Sequence, residues 1–251
     1  MARIGFIGTG HIAAPLIRFL VGKGYSVTVS NRNADTAAAL AQTHGVSVGD
    51  NQHVLDRSDI VFLCLRPQVA ADVIAPLHFR ADQRIISVMA GISLHRLGQL
   101  CAPAHDMTMT IPLGYLEQGG CPLAACPSAI QLKELFEPEN FVFEVVDEKA
   151  FNQHFAICAF VPGVLDLMTT AATWLGAQTG DNDQAARFTR QLLTGFLAAL
   201  PDEGAHLLPQ ERDALATQGT LSLQMTTALQ DGGAHGVLRD ALLAIGSRLD
   251  A

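Results

Sequence analysis

Gly8, Gly10 and Ala13 stand in the spacing G-x-G-x-x-G/A, between an apolar run carrying Ile4, Phe6 and Ile7 and a helical pattern that starts at His11. Each position has a physical job. Gly8 permits a tight turn, and Gly10 carries no Cβ, so a pyrophosphate can approach the backbone. Ala13 lets the helix lie close to the strand, with the helix N-terminus facing the phosphates. Strand, turn and helix in that order are the context a dinucleotide site requires. The alternative is a glycine-rich turn in some other βα unit. Thr9, His11 and Ile12 complete the loop as candidate contacts, although His11 serves equally well as a helix-start residue. The chemistry such a site supports is nicotinamide hydride transfer.

The end of the second strand bears on which nicotinamide. Tyr25–Val29 alternates and is β-branched, the pattern of a strand. About twenty residues past the glycines an NAD site places Asp or Glu on the ribose 2′-hydroxyl. This chain has Ser30-Asn31-Arg32 there instead. A hydroxyl, an amide and a guanidinium suit a 2′-phosphate that a carboxylate would repel, so the expected cofactor is NADP(H). The alternative for Arg32 is an ordinary solvated loop residue.

The elements that must hold these residues follow in order. Ala34–Thr43 reads as a helix stopped by Gly45, Val46–Val48 as a short strand, and Asp50-Asn51 as the opening of a small helix. Asp59–Leu65 is a continuous apolar run, the mark of a central parallel strand, and Arg66-Pro67-Gln68 follows it with proline suited to a first helical turn. Arg84–Val88 is the next strand, then Met89-Ala90-Gly91, then a helix capped by Ser93. Met107–Ile111, Leu123–Ala125 and Phe141–Val146 read as further strands. Past Asp147 strand signals stop, and helical patterns run over Glu148–Leu175, Asp183–Leu200, Gln210–Ala216, Leu221–Gln230 and Ala234–Leu249. The expected fold is α/β: a doubly wound, mostly parallel Rossmann sheet over residues 1–146, then an all-α domain over 147–251. Ligands belong at the carboxyl ends of the strands.

Composition narrows the function classes. The 251 residues are 49% hydrophobic and 16% charged, with net charge −8. That acidity argues against nucleic acid, whose phosphates it would repel. Met1-Ala2-Arg3 leads directly into the first strand, so no signal peptide is expected. The apolar stretch Phe155–Leu175 is interrupted by Pro162-Gly163 and Asp166 and reads as a buried core helix rather than a membrane span. Trp174, Phe155 and Phe160 read as core, and a buried Asp166 would need a partner. Five cysteines without C-x-x-C suggest reduced thiols and a cytoplasmic location. Nine scattered histidines with no Cys/His cluster give no metal site. The helical half is apolar on more than one face, which favours a dimer with intertwined helices.

With these residues in place the chain resembles the pyrroline-5-carboxylate reductase family over most of its length. The likeness is closest in I-G-F-I-G-T-G-H-I (4–12), D-N (50–51), D-I-V-F-L-C-L-R-P-Q-V (59–69), I-S-V-M-A-G-I-S-L-x-x-L (86–97), A-L-Q-D-G-G (228–233) and D-A (240–241). That family reduces a cyclic imine with a nicotinamide cofactor to give proline. It combines a Rossmann domain with a helical dimerisation domain. The resemblance implies that Asn51 meets the adenosine end of NADP(H), that Leu65, Arg66 and Pro67 line the nicotinamide ribose, and that Ala90-Gly91 sit by the nicotinamide. It further implies a homodimer whose helical domains interlock.

The departures fall in the substrate half. The family's M-P-N appears as Ile111-Pro112-Leu113, so the amide is lost. Its G-S-G-P-A appears as Ala159-Phe160-Val161-Pro162-Gly163. Its carboxylate-binding S-P-G-G-T-T loop appears as Thr217-Gln218-Gly219-Thr220-Leu221-Ser222. Ser222 and Thr220 are the candidate catalytic residues, placed to hydrogen-bond an imine nitrogen or a carboxylate; the alternative for Ser222 is a helix N-cap. The expected activity is NADPH-dependent reduction of a cyclic imine C=N bond. Two other readings stand beside it. A 3-hydroxyacid dehydrogenase would use an early lysine in the helical domain, and no lysine lies between Phe151 and Gly180. A non-catalytic NADPH-binding sensor would account for the altered substrate motifs.

Overall fold

The computed structural model describes residues 1–201 and 207–250. The chain divides into two compact units, one running from Met1 to Phe155 and including the C-terminal residues from Leu249, the other spanning Ala156–Arg248. In the first unit eight strands form one sheet: β1 (Arg3–Ile7), β2 (Ser26–Ser30), β3 (Ser47–Gly49), β4 (Ile60–Leu63), β5 (Arg84–Ser87), β6 (Asp106–Thr110), β7 (Pro122–Cys126) and β8 (Phe141–Glu144). Their order is β3-β2-β1-β4-β5-β6-β7-β8. The first six strands run parallel, β7 lies antiparallel to β6, and β8 is parallel to β7. The strand order reverses between β1 and β4, which makes their carboxyl ends the topological switch point.

Strand chemistry explains the centre of the sheet. All four residues of β4 are buried, as are the last four of β1, which is what the continuous apolar runs require of a strand covered on both faces. On one face Phe6 stacks on Phe62 with centroids 4.6 Å apart, and Phe136 meets Phe62 edge-on at 6.3 Å. Helices α1 (Ala13–Gly22), α2 (Ala34–His44) and α6 (Ile130–Phe136) supply the rest of that core. Helices α3 (Asn51–Arg57), α4 (Pro67–Ile74) and α5 (Leu94–Leu100) pack the opposite face around Ile7, Leu63 and Ile85. The punctuation follows its sequence signals. Asn33, Asp50 and Ser93 accept backbone N–H bonds as N-caps of α2, α3 and α5. Gly45 ends α2 with φ +66°, the left-handed conformation glycine adopts without strain.

In the second unit all described elements are helical: α8 (Phe160–Thr179), α9 (Asn182–Ala198), α10 (Leu207–Leu215), α11 (Leu221–Asp231) and α12 (Ala234–Leu249), preceded by α7 (Glu148–Ile157), which leads out of the first unit. The single helix expected over Glu148–Leu175 is two helices. Pro162 has no N–H to give the Cys158 carbonyl, and the Val161 N–H takes that carbonyl instead at 3.3 Å, tightening the turn. A second correction concerns burial. The run Glu148–Thr179 is long and apolar enough to cross a membrane by length and composition, but only 6% of its most apolar window is buried within this chain. Trp174 is 65% exposed and Phe160 40%, so neither is core in the single chain. Asp166 is exposed and needs no buried partner. Helices α10 and α11 bury none of their residues.

Candidate functional site

At the carboxyl ends of β1, β2, β4 and β5 lies a cavity of about 590 Å³. The sequence around it folds as it does because Gly8 adopts φ +100°, and any side chain there would strike the Cys64 carbonyl oxygen. The turn is therefore pressed against the end of β4. From below, the Gly8 N–H donates to Ser30 Oγ at 2.9 Å. Ser30 is fully buried, so its hydroxyl holds the loop in place and does not face the cavity. This corrects its reading as a 2′-phosphate ligand.

Three features make the loop receptive to a pyrophosphate. A Cβ built on Gly10 meets no atom within 4 Å. The hydroxyl of Thr9 is 98% buried by residue exposure and has no partner among the described residues. Helix α1 begins after Ile12 with no side-chain cap; the Ala14 N–H donates to the Gly10 carbonyl at 3.0 Å and Pro15 has none to give, so the Ala13 N–H at the helix start is left for an anion. Thus the residues present fit the diphosphate of a dinucleotide. Beside them Cys64 forms an inert wall, since burial pushes its thiol pKa well above the usual range.

Eight of the sequence-derived cofactor residues meet in this one cavity: Gly8, Thr9, Gly10, His11, Ile12, Arg32, Leu65 and Arg66. Arg32 lies on the β2 side, exposed and without a hydrogen bond or ion pair to any described residue. Asn31, Asn51, Pro67, Ala90 and Gly91 do not line it. Asn31 donates its backbone N–H to Gly49 at 2.9 Å; Asn51 and Pro67 occupy the first positions of α3 and α4. Gly91 opens instead on a second cavity of about 700 Å³, shared with Ser93, Arg96, Lys149 and Asp250. There Glu148 accepts the Leu94 N–H at 3.1 Å, and Asn152 donates to the Leu249 carbonyl at 3.2 Å and to Asp250 at 2.9 Å. Residues that sequence reasoning missed in the first cavity include Asp35, Cys64, Val69 and Val88. Val88 and Cys64 carried a signal, because each follows directly on a strand whose carboxyl end was expected to bind.

The two candidate catalytic residues lie at the start of α11. Thr220 is its N-cap: its hydroxyl accepts the Leu223 N–H at 3.1 Å and donates to the Thr217 carbonyl at 2.7 Å. Its proton and one of its two acceptor positions are engaged within the chain, which gives Thr220 a loop-shaping role. The capping role considered for Ser222 belongs to Thr220. Ser222 is exposed in the first turn of α11.

Comparison with known proteins agrees with this architecture. Residues 3–91 match a family described as NADP oxidoreductase, coenzyme F420-dependent. A pyrroline-5-carboxylate reductase of Vibrio alginolyticus is 23% identical over 99% of this chain and 96% of its own length. Among solved structures, the 1-pyrroline-5-carboxylate reductase of Streptococcus pyogenes superimposes with TM-score 0.85 at 21% identity, covering 99% of this chain and 98% of that one. The pyrroline carboxylate reductase of Plasmodium falciparum, a structure with NADP bound, gives TM-score 0.80 at 14% identity over 98% and 96%.

Proposed function

We propose that the chain is a member of the pyrroline-5-carboxylate reductase family, which its full-length likeness to such reductases supports, and that it is an NADPH-dependent oxidoreductase that reduces the C=N bond of a cyclic imine. The observation that carries the reading is the glycine loop over β1, open at Gly10 and uncapped at α1. NADPH supplies a hydride to the imine carbon when bound. The chain's own residues bind and orient. The Gly8–Ile12 loop and the start of α1 hold the diphosphate, Arg32 answers the 2′-phosphate, and Leu65 and Arg66 border the nicotinamide ribose. An iminium is already electrophilic near neutral pH, so the site needs orientation more than a strong acid. Ser222, in the helical unit, is the hydroxyl offered to the substrate. The exposed apolar faces of that unit support a homodimer in which this loop is contributed by the second copy; the same covering accounts for the apolar run Glu148–Thr179 without a membrane. The five cysteines form no disulfide among the described residues, which suits a cytoplasmic protein that serves proline formation.

Turnover of NADPH against a panel of cyclic imines tests the reading. Oxidation of NADPH on at least one of them is expected. Saturable NADPH binding with no turnover on any would favour a sensor and overturn the reductase.

Arg32 supports a cofactor preference that can be measured. Replacing Arg32 by alanine is expected to raise the KM for NADPH about tenfold or more, as loss of a charge-assisted contact of about 1.5–3 kcal/mol implies, while the KM for NADH stays nearly constant. Equal use of both cofactors by the unmodified protein would count against this role. Asp35, three residues on and lining the same cavity, does not cancel it, because a flexible exposed guanidinium can turn from a neighbouring carboxylate to a doubly charged phosphate.

A further inference from the structure

Four buried polar side-chain atoms lack a partner among the described residues, and two of them belong to threonines at the carboxyl edge of the sheet: Thr9 and Thr110. Thr9 is accounted for by the diphosphate. Thr110, 1% exposed at the last position of β6, is not. A buried hydroxyl left unpaired costs about 1–3 kcal/mol, so its persistence calls for a ligand.

Register says which ligand it is near. Phe6, Phe62, Ile86 and Thr108 are partners across β1, β4, β5 and β6. Side chains repeat every two residues along a strand, so Gly8, Cys64, Val88 and Thr110 form the next row on the same face. The ladder continues that far: Cys64 and Val88 donate backbone N–H bonds to Ile7 and Leu63 at 2.9 and 3.1 Å. Gly8, Cys64 and Val88 all line the dinucleotide cavity. Thr110 is one strand further along, about 4.8 Å away. A dinucleotide whose phosphate end meets Arg32 on β2 and whose diphosphate crosses β1 runs toward β5 and β6 at its nicotinamide end. The segment after Thr110 is Ile111-Pro112-Leu113, and it offers that end no polar side chain.

We propose that the Thr110 hydroxyl is the positioning residue that hydrogen-bonds the nicotinamide carboxamide. This rests on the reading of the first cavity as the NADPH site. A hydroxyl both donates and accepts, so it can serve either end of a carboxamide. Its part is to set the tilt of the ring that presents the hydride, which no other side chain of the 109–113 segment can do by hydrogen bonding.

The test compares NADPH with adenosine 2′,5′-bisphosphate, which has the 2′-phosphate but no nicotinamide. Binding is followed by calorimetry in Thr110→Val, Thr110→Ser and unmodified protein. Thr110→Val is expected to weaken NADPH about tenfold, equivalent to about 1.4 kcal/mol, and to leave the bisphosphate unchanged. Thr110→Ser is expected to stay within about twofold of the original for both, since the hydroxyl is retained. The ligand-free Thr110→Val protein should melt no lower than the original, because valine keeps the shape and removes an unpaired polar group. A lowered melting temperature, an equal loss for both ligands, or unchanged NADPH affinity in Thr110→Val would each overturn the assignment. Failure of the unmodified chain to bind NADPH would overturn the reading beneath it as well, and is recognised by that measurement alone.

Discussion

Gly10→Val protein is expected to fold with its melting temperature nearly unchanged and to lose NADPH binding. This outcome follows from the contrast between two glycines two residues apart. Gly8 sits at φ +100° with the Cys64 carbonyl against the place its side chain would take. A substitution there would strain the backbone and push β1 from β4, so lost binding would be confounded with lost structure. Gly10 has no positive φ, and a Cβ built on it meets nothing within 4 Å. The protein itself leaves room for a side chain at Gly10. That space is the approach to the N–H groups of the glycine loop, to the uncapped Ala13 N–H at the start of α1 and to the unpaired Thr9 hydroxyl. A branched side chain fills it and holds the diphosphate away from donors worth about 1.5–3 kcal/mol each. Losing two or more of them weakens binding by at least about a hundredfold. Fluorescence titration with NADPH, read beside a thermal melt, checks both halves. Unchanged affinity would show that the phosphates bind elsewhere. A large drop in melting temperature would show that the room at Gly10 is needed for folding.

What could be seen in the sequence was what local chemistry decides. Asp59–Leu65 announced a central strand because a strand buried on both faces must be apolar throughout. Gly45, Asp50 and Ser93 announced helix ends because a left-handed residue or a side-chain acceptor is needed there. The glycine spacing located the cavity, and eight of its residues come together in it. The direction of β7 was not legible. Its inner residues are as apolar in one direction as in the other, and only the register with β6 decides. Seven residues of α6 are too few for a period to show. Residue type alone could not tell whether Ser30 faces a ligand or the loop above it. The Gly8 N–H claims it from inside the protein. Likewise Thr220 and Ser222 are two hydroxyls on one turn, and only the cap geometry separates them. The burial of the helical half was misread for a different reason. An apolar helix shows that something must cover it, and not that the same chain does.

That last point carries the second large effect, the behaviour of chains in pairs. Leu221 is 84% exposed, Val237 71%, Met225 63% and Leu243 62%. Exposed apolar surface over several helices exceeds what monomeric proteins leave in water. A second copy covering it would bury well over ~2,000 Å², the range of obligate dimers. The expected state is therefore a dimer with no stable folded monomer, so dilution to single chains unfolds the helical unit. If Ser222 serves the cavity of the opposite chain, each site takes its glycine loop from one subunit and its serine from the other. Gly10→Val and Ser222→Ala chains should each be nearly inactive as homodimers. In a heterodimer of the two, one site carries both lesions and the other carries neither. Random pairing then restores roughly a quarter of the original activity, since about half the dimers are mixed and each has one sound site. Sedimentation and activity of the co-refolded mixture check this together. An active monomer refutes the arrangement. So does a mixture in which heterodimers are demonstrated, each parent is inactive, and no activity returns.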